Sequence, residues 1–241
     1  MRQLGSLFEK STGISSCASA LAFVAGFLDA ATFVRGGGVF CAHVTGNLIV
    51  VAATWIAGGR VGWLSAAPLI TFLVGVIAVA RLDALVARRD ASRARCVVLA
   101  LEASLIALAA ALGCMGRDGA LRHWIVACLV LAMAAQTTLQ RLRPEIGTAT
   151  TVMTGNLAQC LVDLFAERSR GTGSGAPHAQ VVFLFVLGCL LGAASVSTLG
   201  FGALLMPLSV LLGFALAPRV SRSPVVPDLG DGAFPEVEPA E

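Results

Sequence analysis

The stretch Thr45-Gly46-Asn47-Leu48 recurs as Thr154-Gly155-Asn156-Leu157, and the two copies are 109 residues apart (154 − 45 = 109). Each copy places a hydroxyl, a glycine and a carboxamide inside apolar sequence, where polar groups are costly to bury without hydrogen-bond partners. Residues 40–44 lead into the first copy and residues 149–153 into the second. The recurrence predicts an internal duplication, with the two copies at corresponding positions of two halves.

The composition is that of a membrane protein. Apolar residues make up 57% and charged residues 13% of the 241 residues, and the mean hydropathy is +0.85, which is more apolar surface than a soluble domain of this length can bury. The net charge is +3, but the arginines lie between apolar segments and indicate topology instead of nucleic-acid binding. The seven cysteines show no CxxC pair and no His-Cys cluster, so we predict no metal and no cofactor.

Six apolar segments approach the roughly 20 residues that a bilayer-spanning helix needs. They are residues 18–34, 66–86, 96–113, 124–140, 181–199 and 202–217. The two segments that carry the motifs, residues 45–57 and 151–165, are shorter and are predicted to be re-entrant helices. The expected organisation is a cytoplasmic tail (1–15), a first membrane repeat (16–115), a second membrane repeat (116–218) and a disordered tail rich in Pro, Asp and Glu (219–241).

The basic residues favour six crossings over eight. With six spans and a cytoplasmic N-terminus, all 17 basic residues except Arg35, Arg60, Arg117 and Arg122 lie inside the cell. With eight crossings they divide about evenly between the two sides, which conflicts with the positive-inside rule. If the six spans form two halves of three, the two halves enter the membrane from opposite sides. The sequence therefore predicts an all-α, polytopic membrane protein with an inverted repeat and both termini in the cytoplasm.

Several blocks of the sequence resemble a known family. Gly26-Phe27-Leu28-Asp29-Ala30, Gly38-Val39-Phe40, the first motif, Gln136 and residues 150–156 are similar to the signature blocks of the bacterial YoaK-like membrane proteins, which share the domain of unknown function 1275. The resemblance covers about residues 15–217 and implies a bacterial inner-membrane protein of about six spans. It implies no chemistry, because the family has no established biochemical activity.

Polar residues inside the apolar segments make up the predicted binding site. They are Asp29, Thr45, Gly46, Asn47, Gln136, Thr154, Gly155 and Asn156. In one interpretation the motifs start two helices at membrane depth, where the Thr hydroxyls cap exposed amides and the positive helix ends receive an anion or a polar solute. In the other, the Thr-Gly-Asn motifs hold neighbouring helices together, with Gly allowing close packing and Asn bonding to backbone.

Three polar residues, Asp29, Glu102 and His43, have competing interpretations. Asp29, an acid inside the first span, is a functional candidate, and its structural alternatives are a pair with Arg35 or a cap on the re-entrant segment. Glu102 belongs to a proton or cation path, or its side chain snorkels toward the interface or pairs with a buried polar group. Gln136 is the rough counterpart of Asp29 in the second half. His43 can titrate near neutral pH, but we expect a structural role for it.

No catalytic pattern is present, since GxSxG, HExxH, P-loop and GxGxxG motifs are all missing from the sequence. We therefore predict no catalytic residues and no enzyme. The leading prediction is a transporter or channel for a small solute or ion, with a polar site at the interface of the repeats; this rests partly on analogy with other inverted-repeat proteins. The alternative is a non-transporting membrane scaffold or sensor. The predicted partners are the lipid bilayer and a small solute, with a homo-oligomer left open.

Overall fold

The structure is a computed structural model that describes residues 2–59, 63–115, 121–146, 150, 153–170 and 176–216. These ranges contain eight α-helices: α1 (Arg2–Arg35), α2 (Val44–Ile56), α3 (Trp63–Ala87), α4 (Ala91–Met115), α5 (Arg122–Leu142), α6 (Met153–Arg170), α7 (Ala176–Leu199) and α8 (Leu205–Leu216). Two short 3-10 helices, Pro144–Ile146 and Gly200–Leu204, complete them. The all-α prediction is confirmed, and it follows from the need to satisfy every backbone group within a segment in lipid. The predicted tail 219–241 lies outside the described residues.

Five stretches of the described chain are long and apolar enough to cross a bilayer. They are Cys17–Arg35, Ala66–Ala87, Ala91–Met115, Arg122–Leu142 and His178–Ala215. The first four match predicted spans one to one, and they make the chain a multi-pass membrane protein. The fifth, of 38 residues, contains both of the last two predicted spans, so its division into two crossings belongs to the proposal below.

The two motifs lie at the starts of α2 and α6. α2 has 13 residues and is therefore about 20 Å long, short of the roughly 30 Å hydrocarbon core. α6 has 18 residues. Within the described residues, α2 packs against α3, α6 packs against α7, and the two motif helices do not contact each other.

Several helix starts differ from the predicted boundaries; α7, for example, begins at Ala176, five residues before its predicted start. α1 is helical from Arg2, so the predicted tail continues directly into the first span, and the helix runs unbroken through Gly26 and Asp29. α4 begins at Ala91, five residues before the predicted start, because Oδ1 of Asp90 accepts hydrogen bonds from the amides of Ser92 at 2.7 Å and Arg93 at 3.2 Å. This is the bonding of an Asp N-cap, which stabilises the first turn of a helix.

The core lies around α1 and α5, which are buried over most of their apolar length. α3 and α7 expose apolar side chains along their outer faces, among them Ile70, Leu73 and Ile77 on α3 and Phe183 and Leu190 on α7. Large exposed apolar side chains are costly in water but ordinary at a lipid-facing surface. The exposed faces of α3 and α7 are therefore the surfaces that contact the bilayer.

Glycines bring α1 and α7 into close contact. A side chain at Gly188 or Gly192 of α7 would meet the α1 backbone at Phe23 and Phe27, and one at Gly26 of α1 would meet the carbonyl oxygen of Phe185. Gly188 and Gly192 are four residues apart, the spacing of small residues that lets two membrane helices approach closely. α5 contacts α3 at another glycine, Gly75, where an added Cβ would lie 2.8 Å from the Ala134 side chain.

Replacing Gly188 with Ala should destabilise the protein, because the added Cβ would meet α1 backbone that cannot move as a flexible side chain can. We expect a loss of about 1–3 kcal/mol, the usual cost of overpacking. The measurement is the apparent melting temperature of the detergent-solubilised protein, followed by size-exclusion chromatography after heating.

Gly213→Ala in α8 is the matched control, since an added Cβ there meets nothing within 4 Å. It should leave the melting temperature unchanged or raise it slightly through better helix propensity. Equal melting temperatures for the two variants would contradict the close α1–α7 contact.

Candidate functional site

Asp29 holds the loop that connects α1 to α2 (residues 36–43, the first connecting loop). Its Oδ1 accepts hydrogen bonds from the amides of Cys41 at 2.8 Å and Ala42 at 2.6 Å, and its Oδ2 bonds to Nδ1 of His43. The carboxyl is 4% exposed, so its oxygens are used by the protein's own groups. Asp29 thus bonds to the loop that leads into α2 and not to the first turn of that helix, and Arg35 is not among its described partners. Arg35 instead donates to the Ser197 carbonyl at 3.3 Å.

Asn47 of the first motif holds the same loop from the other side. Its Oδ1 accepts from the Phe40 amide at 2.9 Å and its Nδ2 donates to the Phe40 carbonyl at 2.8 Å. The side chain thus pairs with one residue's backbone in the way that a neighbouring strand would. Asn47 is buried, and because Phe40 is part-buried these two bonds replace the water that its backbone would otherwise need.

Two conformational features turn the first connecting loop back toward α1. Gly37 and Gly38 have φ of 96° and 75°, a region that side-chain-bearing residues rarely occupy. The Phe40 ring then stacks on Phe33 of α1, with ring centroids 5.0 Å apart. His43 lies edge-on to Phe185 of α7 at 5.4 Å, and the buried end of the loop, Cys41 and Ala42, precedes this contact.

A corresponding set of bonds holds Thr150, which precedes the second motif. The Thr150 amide donates to Oε1 of Gln140 at 3.1 Å, and the Thr150 hydroxyl donates to the same oxygen at 2.9 Å. Nε2 of Gln136 donates to the Thr150 hydroxyl at 2.7 Å and to the Leu21 carbonyl of α1 at 3.1 Å. Gln136 is therefore buried where α5 meets α1.

The remaining predicted site residues are placed less centrally. Asn156 is 8% exposed, and its Nδ2 lies 4.0 Å from the Met153 sulfur. Thr45 and Thr154 are exposed. His43, not Thr45, is the N-cap of α2, and no side-chain cap bond is made there, so the predicted hydroxyl cap is not formed at Thr45. Because α2 and α6 are not in contact, the two motifs do not form one joint site among the described residues.

A cavity of about 650 Å³ adjoins the first connecting loop. Its walls are the loop, the start of α3 and the start of α5, with Gly36, Gly37, Val39, Thr71, Arg122 and His123 among the lining residues. This volume lies within the usual range of small-molecule sites. The two basic side chains at the head of α5 make it more favourable to anions than to cations. No group of three or more metal-ligating side chains occurs within the described ranges.

Comparison with known proteins gives a match to a family model and a relative. The family model described as "Protein of unknown function (DUF1275)" matches residues 17–217, from the first apolar turn of α1 to just beyond α8. The chain belongs to this family. It is also similar to the Bacillus subtilis (strain 168) protein named "UPF0700 transmembrane protein YoaK", with 25% identity over 212 residues, which cover 85% of this chain and 94% of that protein. No solved structure gives a significant match. The resemblance to this family that the sequence blocks predicted is therefore confirmed.

Sequence reasoning missed several residues that hold or line this region. Gln140 is one turn beyond Gln136 on α5, and that spacing of four residues marks a shared helix face. Arg122 and His123 could have been noticed in the sequence, because they are adjacent basic residues at the start of a predicted span. The side chains of Asp83 and Arg143 pair at 2.9 Å between α3 and the end of α5. Their spacing in the sequence could not predict this ion pair, because they are 60 residues apart.

Removing the Asp29 side chain should destabilise this DUF1275 protein, because Asp29→Ala leaves the buried amides of Cys41 and Ala42 without acceptors, at about 1–3 kcal/mol each. Asp29→Asn keeps an acceptor oxygen and should cost much less. Asn47→Ala should cost about 1–3 kcal/mol through the loss of both bonds to Phe40. The measurement is the apparent melting temperature in detergent.

Thr45→Ala is the matched control for Asn47→Ala, since Thr45 lies two residues earlier in the same helix and is exposed. Its melting temperature should stay at the wild-type value. If Asp29→Ala and Asn47→Ala also melt at the wild-type temperature, the bonds described here do not stabilise the folded protein.

Proposed function

We propose that this protein is a transporter or channel for a small polar solute or ion in the inner membrane of a bacterium. In this proposal it has six spans, both termini in the cytoplasm, and α2 and α6 as re-entrant helices of an inverted repeat. The first connecting loop acts as a gate between the cavity and the polar groups around Asp29. No catalytic step is part of the proposal.

The pattern of helix packing supports the repeat. α1 packs on α7 while α5 packs on α3, α4 packs on α5 while α8 packs on α1, and each motif helix packs on the span that follows it. If α1–α4 are exchanged for α5–α8, this pattern of contacts is retained. A two-fold axis in the membrane plane relates halves in this way in inverted-repeat transporters.

Two local correspondences support the same relation. Gly75 of α3 and Gly188 of α7 end the aligned stretches 72–75 and 185–188. Gly75 lies where α3 contacts α5, and Gly188 lies where α7 contacts α1. Cys41 and Thr150 each lie four residues before the Thr of their motif, and the amide of each donates to a side-chain oxygen of the preceding span. The two halves therefore hold the entrance to their motif helices by the same kind of bond.

The main support for the proposed function is that the first connecting loop forms part of the cavity wall. Val39 lines the cavity, and the next residue, Phe40, is held by Asn47. Displacing this loop would release the bonds of Asp29 and Asn47 and open the cavity toward buried polar groups. Non-helical backbone at membrane depth is tolerated where protein encloses it or where it lines an aqueous path, and a gate alternates between these two conditions. Arg122 and His123 favour an anionic solute.

One observation favours the alternative of a non-transporting scaffold or sensor. Every hydrogen bond described for the side chains of Asp29 and Asn47 is made to the protein's own first connecting loop. Bonds of this kind are also what a purely structural connection between helices needs. The flux experiment below separates the two functions.

Reconstituted protein should conduct small anions, and weakening the gate should increase the flux. In proteoliposomes we expect chloride, acetate or inorganic phosphate to move faster than in protein-free vesicles. Asn47→Ala should raise the basal flux about tenfold, since about 1.4 kcal/mol less stabilisation of the closed loop shifts the equilibrium by that factor. Arg122→Gln should lower the anion flux several-fold, and Arg141→Gln, at the opposite end of α5, is its control.

The transport proposal fails if none of these anions, and neither Na⁺ nor K⁺, moves above the background of empty vesicles. A melting temperature that falls in Asn47→Ala with no change in flux supports the scaffold instead. Thr45→Ala should behave as the wild-type protein in both measurements.

Single cysteines beside the ends of the motif helices should be reached from opposite sides of the membrane. In a background without the native cysteines, Ala57→Cys should react with a membrane-impermeant maleimide added outside, and Ser169→Cys only after the cytoplasmic face is opened. Six spans with two re-entrant helices require this result. Reaction of both cysteines from the same side would contradict the inverted repeat.

A further inference from the structure

Glu102, near the middle of α4, is a fully buried acid. It is 0% exposed, and neither Oε1 nor Oε2 has a hydrogen-bond partner among the described residues. The other buried acids differ from it. Asp29 accepts two amides and contacts His43, and Asp83 pairs with Arg143. Glu102 therefore needs an explanation that the connecting loops do not provide.

The helices packed against α4 bring no compensating charge to Glu102. α4 packs against α3, α5, α8 and the 3-10 helix Gly200–Leu204, and the last two elements contain no titratable residue. The titratable side chains on the rest are Arg81 and Asp83 of α3, Arg122, His123, Cys128 and Arg141 of α5, and Arg93, Arg95, Cys96 and Cys114 of α4 itself. Asp83 is paired with Arg143, and no ion pair joins any of these to Glu102 within the described chain.

We propose that Glu102 is a proton-binding site: its carboxyl holds a proton in this conformation and exchanges it with water in another. An ionised carboxylate in an apolar interior without a partner is strongly disfavoured, whereas a neutral acid costs far less to bury. Neither oxygen contributes a bond that would explain an acid here by stability alone. An ionisable group inside a membrane span without a structural partner is a functional site by default.

The proton site does not depend on the proposed transport of anions. A protein that moves an anion gains a coupling ion from it, since a proton taken up with the solute cancels one charge. A sensor gains a group whose occupancy follows pH. The test below therefore measures the proton directly and uses no flux.

The experiment is covalent labelling of the full-length protein in phosphatidylcholine vesicles with dicyclohexylcarbodiimide, over a series from neutral to alkaline pH. The acid proton transfers to a carbodiimide nitrogen and the carboxyl oxygen adds to the central carbon. The O-acylisourea then rearranges to an N-acylurea, so the peptide gains one reagent mass and loses no atoms. Cleavage after Arg95 and Arg117 gives a peptide whose only side-chain carboxyl is Glu102.

Glu102 should be labelled at neutral pH, and the labelling should fall at least tenfold in alkaline buffer and return when the pH is lowered before the reagent is added. Exposed Asp90 is the internal reference, because cleavage after Arg89 and Arg93 isolates it as a second peptide with one side-chain carboxyl. It should be labelled weakly throughout, since exposed carboxyls are ionised at neutral pH. Glu102→Gln should remove the mass shift from the first peptide.

Three results would overturn the proposal. Absence of labelling at neutral pH would mean that Glu102 is not an accessible acid. Labelling that does not change with pH would mean a sealed acid that never exchanges its proton. Protection by Na⁺ at constant pH and ionic strength would identify a sodium site instead. The wild-type series decides each of these, even if Glu102→Gln does not fold.

Discussion

Backbone groups that leave a helix and are buried must find partners within the protein, and the rest of this structure depends on how two connections meet that requirement. In the first, a carboxylate of α1 and a carboxamide of α2 bond to the backbone of residues 40–42. In the second, Gln140 of α5 accepts the Thr150 amide. The Thr-Gly-Asn motif is therefore best understood together with the polar residue on the preceding span, because in each connection that residue accepts a backbone amide from the chain that leads into the motif.

The glycine contacts of α1 with α7 determine where the first connection can lie. His43 packs against Phe185, and the carbonyl of Phe185 is the group that faces Gly26 of α1. A larger residue at Gly26 would separate the two helices and remove the wall behind His43. Helix packing and loop geometry are thus parts of one arrangement, which explains why small residues and buried polar residues occur within the same turns of α1.

Hydropathy and charge alone predicted the membrane class, four of the spans and the short helix α2, because these follow from apolar length and composition. α6 extends to Arg170, five residues beyond its predicted end. Hydropathy and charge also identified Asp29, Asn47 and Gln136, which are conspicuous as polar side chains in apolar sequence. Partners were harder to predict. Arg35 is six residues beyond Asp29 and so about 240° around the helix, on a different face, while the true partners depend on a chain reversal at Gly37 and Gly38. The cavity was missed because three separate segments form it.

The first span, α1, packs against α7 near the other end of the described chain, and this has a consequence for biogenesis. The glycine faces that join α1 to α7 are 162 residues apart in the chain (188 − 26 = 162). During synthesis α1 is translated well before α7, so its main packing surface is completed only when α7 has been translated and inserted. Until then Gly26 and the neighbouring helical turns of α1 face lipid or the insertion machinery.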